Sequence, residues 1–278
     1  CKILQGEELV DRHIVLENHK ISHVGEDIVT CDEVYDVKGK IVIPGCIDCH
    51  VHFREPGLTQ KEDFLSGSRA AAKGGVTTFF DMPNTKPPTT TVALLKERRE
   101  LAKKSVINYG FHFGTTLENI SEIKQVKNVP SCKIYMNETT GSLKMDDLGK
   151  IEEIMSNIPL CAFHAENESL AQAVEIAVKL KKKIYGCHIC TKFEVDVIKK
   201  NKSKVYMEVC PHHLFLTVED GEKLGMFRHV KPSLKTKEDQ EVLWKALDSG
   251  LVDTICTDHA PHLKEEKLIL KMSVKQGN

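Results

Sequence analysis

The stretch IVIPGCIDCHVHFREPG, residues 41–57, decides the fold class of this chain because an apolar segment ends there in an unusual set of polar side chains. Its apolar, β-branched beginning is typical of a buried strand. His50 and His52 stand two residues apart at the end of the segment, and Arg54 follows two residues later. Since alternate residues of a strand share one face, the two imidazoles are predicted to point the same way.

The rest of the chain alternates strand-like and helix-like segments. Strand candidates occupy residues 41–52, 76–83, 106–114, 132–136, 159–166, 183–190, 204–212 and 253–259, and helical spacing occurs at 61–73, 91–103, 146–156, 166–181, 192–200 and 236–249. Parallel strands need crossover connections, so the alternation indicates a parallel sheet. The count fits an α/β fold, a TIM-type (β/α)8 barrel of about 250 residues. Residues 1–44 predict a small β-rich lobe ahead of a barrel domain at 45–278.

Polar residues of the predicted barrel fall at strand ends, where the chemistry of such barrels is located. His50 and His52 end the first strand, His164 the fifth, His188 the sixth and Asp258 the eighth. A lone histidine on a strand is more often a hydrogen-bonded core residue than a ligand. Imidazoles and a carboxylate that converge from several strands are instead natural ligands of Zn²⁺. The set predicts a metal site at the mouth of the barrel.

Lys133, within the predicted fourth strand, is an unusual neighbour for metal ions because its ammonium group would be repelled by them. Two interpretations remain open. The side chain turns away from the metals, or it has reacted with CO₂ to form a carbamate, an anion that can bridge two of them. Charge favours the carbamate, since an added anion offsets part of the charge of two dications.

The composition is that of an ordinary globular protein without a bulk charge that would favour nucleic acid. Lys+Arg 39 against Asp+Glu 40 leaves a formal net charge of −1, and 41% of the residues are hydrophobic. No apolar run approaches the roughly 20 residues of a membrane span, and no leader pattern opens the chain. We expect a cytoplasmic protein that binds neither nucleic acid nor membranes, with its ten cysteines as reduced thiols.

Long, ordered motifs make this sequence similar to a known family. They are HVHFREPG, KEDF, GSRAAAKGGVTTFFDMPNT, KIYMNET, FHAE, CHICT, EVCPHHLFL and TDHAPH. Together they cover nearly the whole chain, which resembles the dihydroorotases of the amidohydrolase superfamily, in particular the lysine-bearing type of the animal multifunctional pyrimidine enzyme and some archaea. The resemblance implies a zinc-dependent cyclic amidohydrolase. Its reaction would be the reversible conversion of L-dihydroorotate and water to N-carbamoyl-L-aspartate in pyrimidine (UMP) biosynthesis.

The same resemblance implies the roles of the metal ligands. The positions that match the family's ligands are His50, His52, Lys133, His164, His188 and Asp258. Two zinc ions per chain would be bridged by carboxylated Lys133. Asp258 would also be catalytic, taking a proton from the attacking nucleophile and passing it to the leaving nitrogen.

The substrate contacts implied by the resemblance centre on Arg54, whose planar guanidinium matches a carboxylate. Asn84 in MPNT and His262 in DHAPH would complete the carboxylate pocket. Thr139 lies in a stretch that resembles a mobile loop closing over substrate. Lys231 stands where the family usually has arginine or asparagine, and it would donate to substrate as a point charge without the fork.

Cys187, Glu208 and His213 match positions of an additional, third zinc in the animal domain. A buried thiol and ordinary polar residues at strand ends explain these positions equally well, so both interpretations stay open.

Two segments depart from the family pattern. Residues 140–141 are Thr-Gly where the animal pattern has an aromatic residue, which predicts a different loop closure. The ending LILKMSVKQGN matches none of the usual continuation, although residues 263–275 could form a helix. We therefore expect a C-terminally truncated dihydroorotase with an incomplete N-terminal lobe, marginal stability and weak or no turnover.

Alternative functions remain open at this stage. A hydantoinase or allantoinase would use the same chemistry on a neutral ring, but those relatives lack the arginine that follows His-x-His. A non-catalytic scaffold or assembly subunit is the alternative from another class. The partners implied by the resemblance are the small-molecule substrate and either a second copy in a homodimer or aspartate transcarbamoylase.

Overall fold

The computed structural model describes residues 1–139 and 143–268. The expectations for residues 140–141 and for the end of the chain from 269 onward lie outside these ranges, although residues 264–268 are helical within them. The chain divides into two compact units, Cys1–Cys46 and a larger one that begins at Ile47. The division falls two residues beyond the predicted boundary at residue 44.

The N-terminal unit consists of two antiparallel hairpins. Strand β1 (Lys2–Gln5) pairs with β2 (Glu8–Asp11), and β3 (His13–Glu17) pairs with β4 (Lys20–Gly25). The first hairpin turns at Gly6, whose φ of 65° favours a residue without a Cβ.

The larger unit is a barrel of parallel strands separated by helices, as the strand–helix alternation predicts. Its strands are β5 (Cys46–Val51), β6 (Val76–Asp81), β7 (Asn108–Phe111), β8 (Phe113–Gly114), β9 (Cys132–Tyr135), β10 (Cys161–His164), β11 (Ile184–Gly186), β12 (Val205–Val209) and β13 (Thr254–Ile255). Neighbours follow sequence order in two sheets, β5-β6-β7 and β8 through β13. The barrel closes where the His52 backbone N donates to the His259 carbonyl at 2.7 Å. The predicted (β/α)8 fold is confirmed.

Helices cover the barrel between its strands. They are α1 (Phe64–Lys73), α2 (Val92–Leu101), α3 (Ile120–Gln125), α4 (Leu148–Asn157), α5 (Glu168–Lys179), α6 (Lys192–Lys200), α7 (Pro211–Phe215), α8 (Gly221–Leu224) and α9 (Lys237–Asp248). Each long helix turns apolar residues inward; in α5, for example, Leu170, Ala173 and Ala177 are fully buried. Over the described ranges, no helix has both the length and the apolar character needed to cross a bilayer.

The structure corrects several predicted boundaries. The predicted strand 204–212 ends at Val209, because Pro211 begins helix α7 at a position where its missing N–H costs nothing. The predicted strand 106–114 is two strands, since the chain changes partner at His112: its N donates to Asp81 O, and the next residue donates to Ser131 O. Strand β5 begins only at Cys46, after Pro44. Helices α3, α7 and α8 were not predicted, and each is six residues or shorter.

Candidate metal centre

The strand ends bring the predicted metal ligands to one place. His50 lies in β5 and His52 directly after it; His164 is the last residue of β10. His188 follows β11 by two residues, and Asp258 follows β13 by three. Because the strands are parallel, their carboxyl ends share one rim of the barrel, so residues distant in sequence become neighbours.

Three of these side chains converge on a point. The Nε2 atoms of His50 and His52 lie 3.3 and 3.0 Å from Oδ1 of Asp258. Their other ring nitrogens are already engaged, since His50 Nδ1 lies 2.8 Å from Oε1 of Glu208 and His52 Nδ1 lies 2.7 Å from Oδ1 of Asn84. Each of these acceptors draws a ring proton to Nδ1, and in a neutral His52 ring the lone pair of Nε2 then faces the carboxylate of Asp258. Burial disfavours the charged form of His50, but Glu208 and Asp258 outweigh it and raise the pKa of His50 well above its usual value.

The charge of Asp258 and the lone pair of His52 favour the binding of a cation at this cluster. Burial lowers the pKa of His52 to about 4, so this ring is neutral near neutral pH. Burial of Asp258 favours its neutral form, but His50 and His52 outweigh it and hold the pKa of that carboxyl well below its usual value. A neutral imidazole lone pair therefore points at an ionised carboxylate. A metal ion bound by His50, His52 and Asp258 would pair with the imidazole lone pair and with the carboxylate charge. The three ligand atoms lie within 4.8 Å of one another.

A second histidine pair lies beside Lys133. His164 Nδ1 is 2.8 Å from His188 Nε2, and their rings are 4.6 Å apart. The other nitrogen of His164, Nε2, is buried and has no hydrogen-bond partner among the described residues. Burial, helped by nearby Lys133, lowers the pKa of His164 to about 3, which leaves a free lone pair for a metal. Lys133 is fully buried, with Nζ 2.7 Å from Sγ of Cys187.

Two of the predicted ligands have strained backbones. His188 has a φ of 39° and Asp258 a φ of 49°, in the left-handed region that residues with a Cβ seldom adopt. Such strain costs about 1–3 kcal/mol per residue and is concentrated at functional sites. Here the left-handed backbone directs the side chains of His188 and Asp258 toward the common rim.

The predicted substrate residues divide into two groups. Arg54 is buried; its Nε donates to Pro261 O at 3.0 Å, and its Nη2 lies 3.3 Å from Nε2 of His262. Asn84 accepts from His52, so it also orients a predicted metal ligand. Thr139 is half-buried and Lys231 is exposed. In the described part of the chain, neither of these two hydrogen-bonds Arg54 or His262.

The residues assigned to a third metal do not form one group. Cys187 and Glu208 lie with His50, and the ligand atoms of these three are within 4.8 Å of one another. His213 instead lies with Cys210 and His212. The predicted set of Cys187, Glu208 and His213 is therefore divided between two neighbouring clusters.

A buried ion pair that the sequence did not reveal supports the loop of Asn84. Arg98, fully buried in α2, donates to Oδ2 of Asp81 at 2.6 Å, to Met82 O at 2.7 Å and to Oγ1 of Thr89 at 3.1 Å. Asp81 in turn accepts from the backbone N of Phe53, which lies between His52 and Arg54. Asp81 is the last residue of the run VTTFFD, and a carboxylate at the end of an apolar strand is the sequence signal that could have identified it.

Asp48 forms a second link that sequence analysis missed. Its carboxylate accepts from Oγ1 of Thr257 at 2.6 Å and from the backbone N of His50 at 3.2 Å. It therefore joins the segments that carry His50 and Asp258. Asp48 stands two residues before His50, and this spacing placed it on the same face.

Comparisons with known proteins agree with this geometry. The model of the amidohydrolase family matches residues 41–276. A dihydroorotase of Methanosarcina mazei is 34% identical over 313 aligned residues, which cover 96% of this chain and 69% of that protein. The multifunctional protein CAD of Squalus acanthias is 39% identical over 82% of this chain and 10% of its own length. An L-hydantoinase (dihydropyrimidinase) from Arthrobacter aurescens has the same fold, with a TM-score of 0.91 at 24% identity over 97% of this chain and 70% of that one. The chain therefore belongs to the amidohydrolase family and, within it, to the dihydroorotases.

Proposed function

We propose that this chain catalyses the reversible conversion of L-dihydroorotate and water to N-carbamoyl-L-aspartate. The observation that carries the proposal is Arg54, a buried guanidinium held by Pro261 and His262 beside the histidine–aspartate cluster. A ring that bears a carboxylate suits such a site, because a buried cation needs an anionic partner. The dihydroorotases among the similar proteins support the same substrate.

We propose two zinc ions per chain. His50, His52 and Asp258 would hold one and His164 with His188 the other, with Lys133 as a bridging carbamate. Imidazole and carboxylate groups in this number suit zinc. When bound, zinc would supply a water of lowered pKa as nucleophile and would polarise the ring carbonyl. Cys187 and Glu208, which share His50 as a neighbour, are the proposed place of an additional ion.

The proton path follows from the state of Asp258. Its depressed pKa keeps the carboxylate ionised, so it can accept a proton from the water that adds to the ring carbonyl carbon. As the ring C–N bond breaks, Asp258 returns that proton to the leaving nitrogen. In ring closure it removes the proton from the same nitrogen. Glu208 and Asn84 hold the imidazoles of His50 and His52 in a fixed tautomer during both directions.

Arg54 is proposed to bind the substrate carboxylate. Its Nε and Nη2 are fixed by Pro261 and His262, and its Nη1 makes no hydrogen bond within the described residues. Because the guanidinium of Arg54 is already held in place, less rotamer entropy is lost when a carboxylate binds to it. Asn84 borders this pocket through its bond to His52, and Thr139 and Lys231 are proposed to contact substrate from the surrounding loops.

The test compares dihydroorotate, hydantoin and allantoin as substrates for the wild type and for Arg54→Lys. We expect dihydroorotate to be preferred, and its kcat/KM to fall roughly 10- to 150-fold in the variant, the effect of losing about 1.5–3 kcal/mol of charged hydrogen bonding. Zinc content should not change, because Arg54 is not a proposed ligand.

A wild-type preference for hydantoin or allantoin would replace the proposal with the neutral-ring alternative. A zinc-loaded, folded chain that turns over none of the three would instead favour the non-catalytic scaffold. For partners, we propose a homodimer or a complex with aspartate transcarbamoylase; the support is a relative that is part of a multifunctional protein.

A further inference from the structure

A cysteine and two histidines at the end of β12 form a cluster that shares no residue with the proposed two-zinc set. Cys210 precedes helix α7, and His212 and His213 lie in its first turn. One ligand atom from each lies within 4.8 Å of the other two. With metal–sulfur bonds of about 2.3 Å and metal–nitrogen bonds of about 2.0–2.1 Å, tetrahedral ligands stand somewhat closer than this, so small side-chain rotations would complete a site.

His213 presents an unused lone pair to this cluster. Its Nε2 lies 3.2 Å from the carbonyl oxygen of Pro232. A carbonyl only accepts hydrogen bonds, so Nε2 must carry the ring proton. The Nδ1 atom is then the unprotonated one, and it is buried without a hydrogen-bond partner in the described part of the chain. The side chain is only 2% exposed, so water does not supply the missing partner readily.

His212 repeats the pattern. Its Nε2 is also buried without a partner among the residues described. The two rings are 4.3 Å apart. Burial lowers the pKa of His212, and it lowers the pKa of His213 to about 4, so both rings are neutral and able to ligate near neutral pH. His212 is half-buried, whereas Cys210 and His213 are buried.

Cys210 supplies the third donor. Its thiol is fully buried, and its Sγ lies 4.0 Å from Oε1 of Glu208. A thiolate with two neutral imidazoles is the donor set of a borderline-soft divalent ion, whereas hard ions such as Mg²⁺ and Ca²⁺ prefer oxygen. Binding would form a metal–sulfur bond and release the thiol proton to solvent.

We propose that Cys210, His212 and His213 form a separate binding site for a thiophilic divalent cation of the zinc class. The three residues lie at the junction of β12 and α7, and the Pro232 contact of His213 orients the imidazole from behind, as a backbone carbonyl does at many metal sites. The site stabilises this junction and takes no part in the proposed hydrolysis, so it goes beyond the proposed function.

The test uses Co²⁺ as the probe, added to the purified, metal-free chain. A thiolate-to-cobalt charge-transfer band in the near ultraviolet reports a cysteine ligand, and the proposed two-zinc set contains no cysteine. We expect Cys210→Ser to remove a distinct part of this band that Cys187→Ser leaves in place, because an additional ion at Cys187 would contribute a thiolate band of its own. His212→Asn should weaken Co²⁺ binding, followed by the same band, by at least the 10- to 100-fold that is typical when even a supporting residue of a metal site is lost.

A band that persists unchanged in Cys210→Ser would overturn the proposal, as would the absence of any thiolate band in the wild type. Loss of the whole band in Cys187→Ser would also overturn it and would assign the metal to the cluster of His50, Cys187 and Glu208. Circular dichroism checks that each variant is folded. If Cys210→Ser is not folded, Co²⁺ binding to the half-buried variant His212→Asn, measured by the same band, tests the proposal instead. None of these outcomes depends on dihydroorotate turnover, which is measured separately.

Discussion

Lys133 is the residue whose environment fits its unmodified form least well. Its side chain is fully buried, and its Nζ faces Sγ of Cys187 and the ring of Tyr135. Within the described ranges no carboxylate forms an ion pair with it. A buried ammonium without an anionic partner is costly, and proposed metal ions beside it would add repulsion. A carbamate removes the positive charge and supplies a ligand, which is why we prefer that form.

We predict that Lys133→Ala loses at least one of the two proposed zinc ions per chain, because the ion shared through the bridge would lose a ligand. The measurement is zinc content by mass spectrometry after exhaustive dialysis. Lys150→Ala is the matched control, since Lys150 is an exposed partner of Glu153 on helix α4. Full zinc occupancy in Lys133→Ala would remove the bridge from the proposal.

At the residue scale, sequence reasoning predicted which residues gather at the barrel rim but not which residues hold them there. His50, His52, His164, His188 and Asp258 could be predicted because each marks the end of a strand, and a barrel brings strand ends together. Their supporting partners required the tertiary structure. Glu208, for instance, is 158 positions from His50, and no local pattern connects the two.

At the scale of elements, helix α6 begins at the predicted residue, whereas the starts of α1 and α9 were predicted too early, and capping explains the difference. Helices α1 and α9 begin after Asp63 and Thr236, and each of these residues forms a capping box with the residue three positions later. Strand β7 ends before His112 for a reason that sequence could not show. Both ring nitrogens of His112 are engaged, with Ser131 Oγ at 2.8 Å and Cys49 O at 3.0 Å, so this side chain joins three segments.

The N-terminus of helix α1 gives a pH-dependent prediction. Asp63 accepts from the N and Oγ of Ser66, and these bonds, with Lys104, lower its pKa to about 2. A folded-state pKa below the unfolded one means that the stabilisation is complete above the unfolded pKa of about 3.9 and is lost as the pH falls through about 2. Asp63→Ala should therefore lower the free energy of unfolding by about 1 kcal/mol at pH 7, and by progressively less below pH 4.

Urea unfolding at a series of pH values measures this difference wherever the chain remains folded. Asp63→Asn is the control, because asparagine also caps helices but does not titrate in this range. The difference in the free energy of unfolding between Asp63→Asn and the wild type should vary with pH. The difference between Asp63→Asn and Asp63→Ala should not. An Asp63→Ala deficit of equal size at pH 7 and pH 3 would show that the carboxylate charge contributes nothing at this cap.

At the scale of the whole barrel, the proposed metal site spans the seam where the barrel closes. His52 and His259 join the first and last strands through a backbone hydrogen bond, and Asp48 adds the bond to Thr257. The proposed ligands His50 and Asp258 lie on the two sides of the same seam, His50 in β5 and Asp258 three residues after β13. An ion that binds both therefore ties together the two sides of the seam, and metal binding should add to the stability of the entire barrel rather than to one loop.

We predict that removal of metal by a chelator lowers the melting temperature by roughly 8 °C. A ligand present at about 1,000 times its Kd stabilises the folded state by about 4.1 kcal/mol, and each kcal/mol is worth roughly 2 °C in a chain of this size. Differential scanning calorimetry of the loaded and stripped chain measures the shift.

Adding Zn²⁺ back to the metal-free chain, with and without bicarbonate, separates the role of the carbamate from that of zinc itself. If carboxylated Lys133 bridges two ions, Zn²⁺ in CO₂-free buffer should restore only part of the lost melting temperature, and Zn²⁺ with bicarbonate should restore all of it. Lys133→Ala should gain nothing further from bicarbonate, because it has no amine to carboxylate at this position. Full recovery of the wild type by Zn²⁺ without bicarbonate would mean that an unmodified Lys133 accommodates the metals. A melting temperature that does not respond to the chelator would mean that the seam is closed by Asp48, His52 and their partners alone.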